Sequence, residues 1–148
     1  PLLDESLSVY ELDLMVGFSF QETIAVVNLI FGGVLERHPQ LHICISHGAG
    51  MLPFIAGRLK KACRKRAWVP ERLRPEGAFE EELRKLWYDS HVHSEDSLQL
   101  LEKTVGSDRI VYGTNFAGWD QPESYELDAR SAQWTVNTRN LFRVGEVL

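Results

Sequence analysis

The sequence predicts an α/β fold in which helices alternate with the strands of a parallel sheet. Three short apolar runs, residues 41–46, 86–93 and 109–114, have the length and composition of buried strands. Longer segments with apolar residues at helical spacing lie between and around them. Strands that alternate with helices imply right-handed crossovers, and such crossovers join parallel strands.

Two helices are predicted to flank the first strand. The first begins at Ser19, because Ser19 followed by Glu22 fits a capping box, and it ends before Pro39. Its apolar stripe is formed by Ile24, Val27, Phe31 and Val34. The second helix begins near Pro53, since proline is tolerated in a first helical turn.

Two further helices are predicted to flank the third strand. The first follows Ser94, which can cap it, and stops at Gly106. Its apolar side carries Leu98, Leu101 and Val105. The last helix, residues 128–142, has Trp134 and Leu141 on its apolar side.

The composition is that of an ordinary soluble globular protein. Of 148 residues, 44% are hydrophobic, which is enough for a core, and the net charge of -5 argues against a nucleic-acid partner. No apolar run approaches the ~20 residues that span a bilayer, so we expect no membrane partner. Cys44 and Cys63 lack CxxC spacing and are expected to be reduced thiols in a cytoplasmic protein.

The length restricts which parallel α/β fold can be present. The chain begins with Pro1 instead of Met, so we expect the gene to begin further upstream. A full (β/α)8 barrel needs ~250 residues, and three parallel strands with bare edges make a poor independent sheet. Residues 1–148 are therefore either a small doubly wound domain or the C-terminal portion of a barrel.

Polar residues mark the ends of all three predicted strands. The segments read SHGAG after the first strand, DSHVH at the end of the second and GTNFAGWD after the third. In parallel α/β folds the carboxyl ends of the strands lie at one edge, where binding sites gather. Strand ends are also wet in proteins without catalysis, so this pattern leaves a site and a solvated edge equally open.

Several segments together resemble one enzyme family. Residues 32–58, GGVLERHPQLHICISHGAGMLPFIAGR, resemble the sixth strand and following helix of the metal-dependent amidohydrolase-related family that includes aminocarboxymuconate-semialdehyde decarboxylase. GSDRIVYGTN is similar to that family's eighth strand, and VNTRNLF is similar to its closing helix. The resemblance covers about residues 17–145. It implies that residues 1–148 are one partial domain, the C-terminal portion of a (β/α)8 TIM barrel with roughly strands 6 to 8.

The resemblance also implies a metal enzyme. Members of the family carry one divalent metal, often zinc, and catalyse non-oxidative decarboxylation of unsaturated or aromatic acids, with some hydrolyses. Their metal ligands are a His-x-His pair on the first strand, a histidine near the fifth and the aspartate of the eighth. Most ligands are therefore expected upstream of Pro1. A small carboxylate substrate and a homodimer are implied as partners.

Two residues match functional positions of the family. The resemblance implies that His47 is the catalytic histidine after the sixth strand, where an imidazole beside a metal can move protons. It implies that Arg58 binds a substrate carboxylate across a dimer interface, a task that suits the parallel donors of a guanidinium. The simpler alternatives are a histidine bonded to backbone at a helix start and a surface arginine within a basic run.

The end of the third strand departs from the family pattern, and the end of the second strand adds two histidines. Asn115 falls where the family has its metal-binding aspartate, and an amide binds a hard cation more weakly than a carboxylate does. Asn115 is therefore a weak ligand or substrate partner, or Asp120 supplies the carboxylate instead, or the chemistry is lost. His91 and His93 share one strand face and could reach one metal, although barrel lining or hydrogen bonding to other ligands is the favoured interpretation.

Three functions stay open at this point. The first is a metal-dependent decarboxylase or hydrolase that acts on a small carboxylated substrate. The second is a catalytically impaired relative with a structural or binding role, which the Asn115 replacement would explain. The third is a small phosphate-binding domain, because the glycine-rich HGAG segment leads into a helix whose N-terminus attracts anions. That segment lacks both the GxGxxG and GxxxxGK patterns, so the third function ranks last.

Overall fold

A computed structural model of the chain describes residues 5–122 and 129–144. Within these ranges the strands form one parallel sheet of three, and they lie side by side in chain order. This arrangement confirms the predicted parallel α/β fold. The strands are β1 (Cys44–Ile45), β2 (Trp87–Asp89) and β3 (Ile110–Val111).

The strands are shorter than the apolar runs that predicted them. In the sheet, Tyr88 pairs with Ile45 on one side and with Ile110 on the other. Backbone hydrogen bonds extend the pairing slightly, because the amide of Trp87 donates to the carbonyl of Ile43 at 2.9 Å. Among the described residues, no strand pairs with the outer edge of β1 or of β3. β2 is therefore the one strand of this sheet with neighbours on both sides.

Six α-helices surround the sheet within the described ranges. They are α1 (Phe18–Phe31), α2 (Val34–Arg37), α3 (Leu52–Lys65), α4 (Ala78–Leu83), α5 (Glu95–Val105) and α6 (Ala129–Phe142). A π-helical turn, Asp13–Gly17, leads directly into α1. α3 and α5 follow β1 and β2, as expected for crossovers between parallel strands.

The predicted capping box at the start of the first helix is wrong. Helical backbone continues through Gly17 into Phe18, so Ser19 lies inside the first turn and no side chain caps this helix end. Glu22 points instead to the loop after β1, where its carboxylate contacts Ser46 and His47. A capping pattern describes only local sequence, whereas this glutamate is used by a distant segment.

The first helix also ends earlier than predicted, and its buried face only partly matches the predicted apolar stripe. Gly33 adopts a left-handed φ of 66°, which ends α1 and starts the separate helix α2. The buried positions of α1 are Thr23, Val26 and Ile30. Ile24, which was placed on the apolar stripe, is 40% exposed. Val27 and Phe31 of the predicted stripe are partly buried and pack against the core, so the stripe is confirmed at these two positions and wrong at Ile24.

The predictions for the later helices are confirmed. The hydroxyl of Ser94 accepts a hydrogen bond from the amide of Ser97 at 3.1 Å, and α5 ends one residue before Gly106. Proline lies in the first turn of α3, as expected. The residues predicted to form the apolar sides of α5 and α6 are all buried, namely Leu98, Leu101, Val105, Trp134 and Leu141.

Tyr88 lies at the centre of the core, between the sheet and the surrounding helices. Its side chain is fully buried, and its hydroxyl donates a hydrogen bond to the carbonyl of Leu83 at 2.9 Å. Burial raises the pKa of this phenol above its ordinary value. The central strand is therefore fixed to the end of α4 by one buried polar contact as well as by apolar packing.

The continuous helix Asp13–Phe31 is long and apolar enough to cross a membrane by length and composition. The expectation that no segment approaches this length was wrong, because the helix starts before Ser19 and so includes the apolar residues 14–16. One such helix is weak evidence for a membrane, since core helices of soluble proteins and signal sequences near an N-terminus have the same length and composition. Of the most apolar 18-residue stretch of this helix, 22% is buried.

Candidate functional site

The carboxyl ends of the three strands surround a cavity of about 600 Å³. The loops after β1, β2 and β3 all contribute to it, so the polar strand ends that were singled out in the sequence do converge. Its polar lining includes His47, His91, His93, Asn115 and Asp120. Its apolar lining includes Leu14, Met15, Phe18, Phe54, Leu100 and Trp119.

The loop after β1 is held against the start of α1 by a buried threonine. The hydroxyl of Thr23 donates to the carbonyl oxygens of Ser19, at 2.8 Å, and Ala49, at 3.3 Å. The same hydroxyl accepts a hydrogen bond from the amide of Met51 at 2.9 Å. Four consecutive loop residues, His47 to Gly50, have φ values between 47° and 67°, which is unusual for the non-glycine residues among them. One side chain thus fixes a loop of uncommon backbone shape.

His47 is paired with a carboxylate of α1. Its Nδ1 lies 2.7 Å from Oε1 of Glu22, and the hydroxyl of Ser46 donates to the same oxygen. Burial alone would lower the pKa of His47, but the hydrogen bond and charge of Glu22 outweigh it and raise that pKa above its ordinary value. Because Nδ1 is engaged, Nε2 is the ring nitrogen that remains for other chemistry. The partner of this side chain is thus a carboxylate, in contrast to the simpler alternative of a backbone bond.

Asp89 joins the loops after β1 and β2. Its Oδ1 accepts hydrogen bonds from the backbone amides of Gly48, at 3.0 Å, and His91, at 3.2 Å. Burial raises the pKa of Asp89, although those amide bonds oppose the shift. The sequence analysis missed both Asp89 and Glu22 as site residues. The position of Asp89 at a strand end was a usable signal, whereas nothing near Glu22 indicated a partner 25 residues away.

Asp120 contacts three polar side chains on the other side of the cavity. Its Oδ2 lies 3.2 Å from Nε2 of His91 and 3.1 Å from Nε2 of His93. Its Oδ1 accepts a hydrogen bond from the side-chain amide of Asn115 at 2.5 Å. Burial opposes ionisation, but the contacts with Asn115 and His91 outweigh it and lower the pKa of Asp120. Asp120 is therefore a carboxylate at neutral pH.

The donor atoms at this site suit a divalent metal ion. One possible ligand atom from each of His47, His91 and Asp120 lies within 4.8 Å of the other two. His91 is 6% exposed, and its Nε2 has no hydrogen-bond partner among the described residues, although the Asp120 carboxylate is near. A buried imidazole nitrogen without a partner is costly, and a metal ion would satisfy it. Imidazole ligands suit zinc, and a carboxylate ligand suits both zinc and manganese.

The structure separates the predicted site residues into two groups. His47, Asn115 and Asp120 line one cavity together with His91 and His93. Asn115 donates to Asp120 through its amide nitrogen, and its role as a metal ligand stays a prediction. Arg58 lies on α3, is exposed and is absent from the cavity lining. Within the described part of one chain it does not reach this site, so its binding of a substrate across a dimer interface also stays a prediction.

A larger cavity, of about 770 Å³, lies at the amino ends of the strands. It is lined by residues that precede each strand, including His42, Arg84 and Arg109. The guanidinium of Arg109 lies 5.1 Å from the ring centre of Trp87. Although this cavity is larger, it does not contain the His47–His91–Asp120 cluster. In parallel α/β folds chemistry gathers at the carboxyl ends, so we place the candidate site there.

Sequence comparison relates the chain to known decarboxylases. The sequence profile of the amidohydrolase family matches residues 9–136. The chain is 34% identical over 107 residues to 2-amino-3-carboxymuconate-6-semialdehyde decarboxylase of Dictyostelium discoideum, a match that covers 72% of this chain and 30% of that protein. It is 32% identical over 121 residues to the protein of that name in Caenorhabditis elegans, covering 76% and 28%. The chain thus spans less than a third of the length of these relatives.

Solved structures show the same fold. The apo form of IDCase from Metarhizium anisopliae is 25% identical, with a TM-score of 0.65, over 93% of this chain and 38% of that one. A 5-carboxyvanillate decarboxylase from Novosphingobium aromaticivorans, complexed with manganese and 4-hydroxy-3-methoxy-5-nitrobenzoic acid, is 19% identical with a TM-score of 0.74. That match covers 97% of this chain and 44% of the other. The sheet and its helices are consistent with part of a TIM barrel.

Proposed function

Because this chain belongs to the amidohydrolase family, we propose that it forms part of a metal-dependent decarboxylase for a small unsaturated or aromatic carboxylic acid. The observation that carries the proposal is the His47–Glu22 pair at a cavity that also holds the buried His91 and the ionised Asp120. The names of the curated relatives support decarboxylation over hydrolysis. The cavity volume of about 600 Å³ is in the usual range for a small-molecule site.

A divalent metal ion, zinc or manganese, is the proposed cofactor. When bound, such an ion supplies positive charge that stabilises anionic oxygens of the substrate. Asp120 and His91 would contribute ligands from this chain, and the family resemblance implies further ligands upstream of Pro1. On this proposal Asp120 replaces the missing carboxylate of the family's eighth strand, and Asn115 orients it through the amide hydrogen bond.

His47 is the proposed proton carrier. Decarboxylation replaces a bond from carbon to the carboxyl group with a bond to hydrogen, so a proton must reach that carbon. Glu22 holds Nδ1 of His47 and favours the protonated ring, which leaves a proton at Nε2 for delivery. In this role His47 is the catalytic residue, and Glu22 positions it.

The apolar wall of the cavity suits the carbon skeleton of the substrate. Phe18, Phe54 and Trp119 line it with several aliphatic side chains, and such surfaces exclude water and accept a flat unsaturated body. Arg58 would bind a carboxylate in the site of a partner subunit, because it lies on the surface of its own chain. A homodimer and a cytoplasmic location complete the proposal.

The test measures release of CO₂ by the full product of the gene, loaded with zinc or manganese, from a panel of aromatic and unsaturated carboxylic acids. The His47→Gln variant is expected to lose activity at least about 100-fold, since general acid catalysis contributes on that order. His38→Gln is the control, because His38 is exposed and lines the other cavity. Hydrolysis of a substrate without CO₂ release would show that the enzyme is a hydrolase and refute the proposed decarboxylase activity. Equal activity of His47→Gln and His38→Gln would refute the role of His47.

A second candidate is a relative that binds ligand without turnover. It is favoured by Asn115, which stands where the family resemblance implies an aspartate. This candidate predicts that the metal-loaded protein binds an aromatic acid but releases no CO₂ from any member of the panel. Turnover that disappears in His47→Gln, with the metal content unchanged, would exclude it.

A further inference from the structure

We propose that Asp89 is a positioning residue, which holds the loop that carries His47 against the loop that carries His91. This role rests on the proposed function, in which His47 delivers the proton. Asp89 lies at the end of β2 and is absent from the lining of the cavity. It therefore acts through the backbone of the two loops and not by contact with a substrate.

One oxygen of Asp89 is an acceptor shared by both loops. Its Oδ1 accepts a hydrogen bond from the amide of Gly48 at 3.0 Å and another from the amide of His91 at 3.2 Å. Hydrogen bonds to a carboxylate are stronger than those between neutral groups. Gly48 directly follows His47 in the sequence, so a shift of the Gly48 amide also shifts the histidine. Oδ1 thus fixes the separation of two segments that are distant in the sequence.

The two loops are packed so closely that this separation matters. A Cβ atom at Gly48 would lie only 2.5 Å from Cγ1 of Val92, the residue after His91. The rings of His47 and His91 are neighbours across this contact, with centres 5.6 Å apart. A displacement of ~1 Å can cost an enzyme roughly 100-fold in rate. Loss of the shared acceptor should therefore slow the proton transfer that His47 performs.

The end of β3 packs directly on the side chain of Asp89. A Cβ atom at Gly113 would lie 2.6 Å from Cβ of Asp89 and 2.9 Å from its Cγ. Gly113 is not among the glycines with positive φ, so its backbone suits alanine and the overlap with Asp89 is the main consequence. Gly113→Ala therefore displaces Asp89 while the carboxylate stays in the protein, which provides a second variant for the same contact.

The test compares Asp89→Ala, Asp89→Asn and Gly113→Ala in the full product of the gene. Hydrogen–deuterium exchange, measured by mass spectrometry on peptides that contain Gly48 or His91, needs no substrate. In Asp89→Ala and Gly113→Ala both amides should exchange at least about 10-fold faster, as expected for the loss of a bond to a charged acceptor. Asp89→Asn should keep most of the protection, because its side-chain oxygen can still accept both bonds.

Turnover supplies the functional readout. For an acid of the panel that the unchanged protein decarboxylates, kcat of Asp89→Ala should fall at least about 10-fold while KM changes little, because Asp89 positions the proton carrier and not the substrate. Asp89→Asn should recover most of this loss. Tyr88→Phe is the control, since it removes a buried hydrogen bond at the adjacent residue and should alter neither the exchange of the two amides nor kcat.

Three results would overturn the proposal. They are unchanged exchange in Asp89→Ala, equally fast exchange in Tyr88→Phe, and an undiminished kcat in Asp89→Ala although both amides exchange faster. If Asp89→Ala does not fold, unchanged exchange in Gly113→Ala overturns the proposal instead. If the unchanged protein releases no CO₂ from any acid of the panel, the proposed decarboxylase fails, whereas the exchange data still decide whether Asp89 holds the two loops.

Discussion

Replacement of Gly50 by alanine should disrupt the junction between the loop after β1 and helix α1. Gly50 has φ 61° and ψ -121°, a backbone shape that side chains disfavour. A Cβ atom at this position would lie 2.0 Å from the carbonyl oxygen of Ser19 and 2.7 Å from its carbonyl carbon. Both atoms belong to the backbone of α1, so no side-chain rotation can relieve the overlap.

The expected loss of unfolding free energy in Gly50→Ala has two parts. A residue held in such a sparsely populated backbone region costs of order 1–3 kcal/mol. Forcing additional atoms into a packed contact costs typically about 1–3 kcal/mol more. Gly77→Ala separates the two, because Gly77 has φ 83° and a Cβ there would meet nothing within 4 Å. The control therefore has positive φ without a steric contact, and Gly50→Ala should lose at least a further ~1–3 kcal/mol of unfolding free energy.

Urea denaturation of the unchanged protein and the two variants measures this difference, provided that the transitions are cooperative. A loss for Gly50→Ala no larger than that for Gly77→Ala would refute the close contact between Gly50 and Ser19. A second readout concerns the site. Glu22 lies one turn after Ser19, so displacement of α1 should also weaken its contact with His47 and, in the full gene product, lower the CO₂ release that we propose.

Three further predictions test single contacts. Tyr88→Phe removes one of two hydrogen bonds that the carbonyl of Leu83 accepts, because the amide of Leu86 still donates to it at 3.1 Å. The unfolding free energy should fall by ~0.5–1.5 kcal/mol, and a change below the error of urea denaturation would contradict the bond from Tyr88. Glu22→Gln should lower the pKa of His47, because it removes the negative charge that raises this pKa. Proton NMR titration of the metal-free protein measures the pKa, and an unchanged value would show that the His47–Glu22 pair does not form. Arg130 lowers the pKa of Glu95 from 4.5 to about 2, so the pair stabilises the folded state above pH 4.5 and loses that contribution as the pH falls towards 2. In Arg130→Gln, acid denaturation should show less of this dependence, and an identical pH profile would exclude the contribution.

Regular periodicity and local end signals were sufficient to predict much of the fold. The alternation of strands and helices predicted the parallel sheet, and Ser94 predicted where α5 begins. These features depend on residues close together in the sequence, so the pattern contains the necessary information. The convergence of the polar strand ends was also predictable, because parallel strands bring their carboxyl ends to one edge.

The missed features depend on contacts between distant segments. Ser19 and Glu22 have the spacing of a capping box, yet the helix begins earlier and the glutamate binds His47. No local rule distinguishes these uses of the same glutamate. Asp120 was only one of several residues that could supply the missing carboxylate, because its position also depends on contacts that the local sequence does not show. Its approach to His91 depends on a turn in which the amide of Gly118 donates to the carbonyl of Asn115 at 2.7 Å, and this turn brings the later residue back.

The left-handed run from His47 to Gly50 has a consequence for the thermodynamics of ligand binding. The loop is held by contacts within the protein, from Thr23 and Asp89. Ligand association would therefore not have to order this segment, which removes a common entropic penalty. The heat-capacity change of binding should then reflect the apolar surface of the ligand and of the cavity wall, without a contribution from coupled folding.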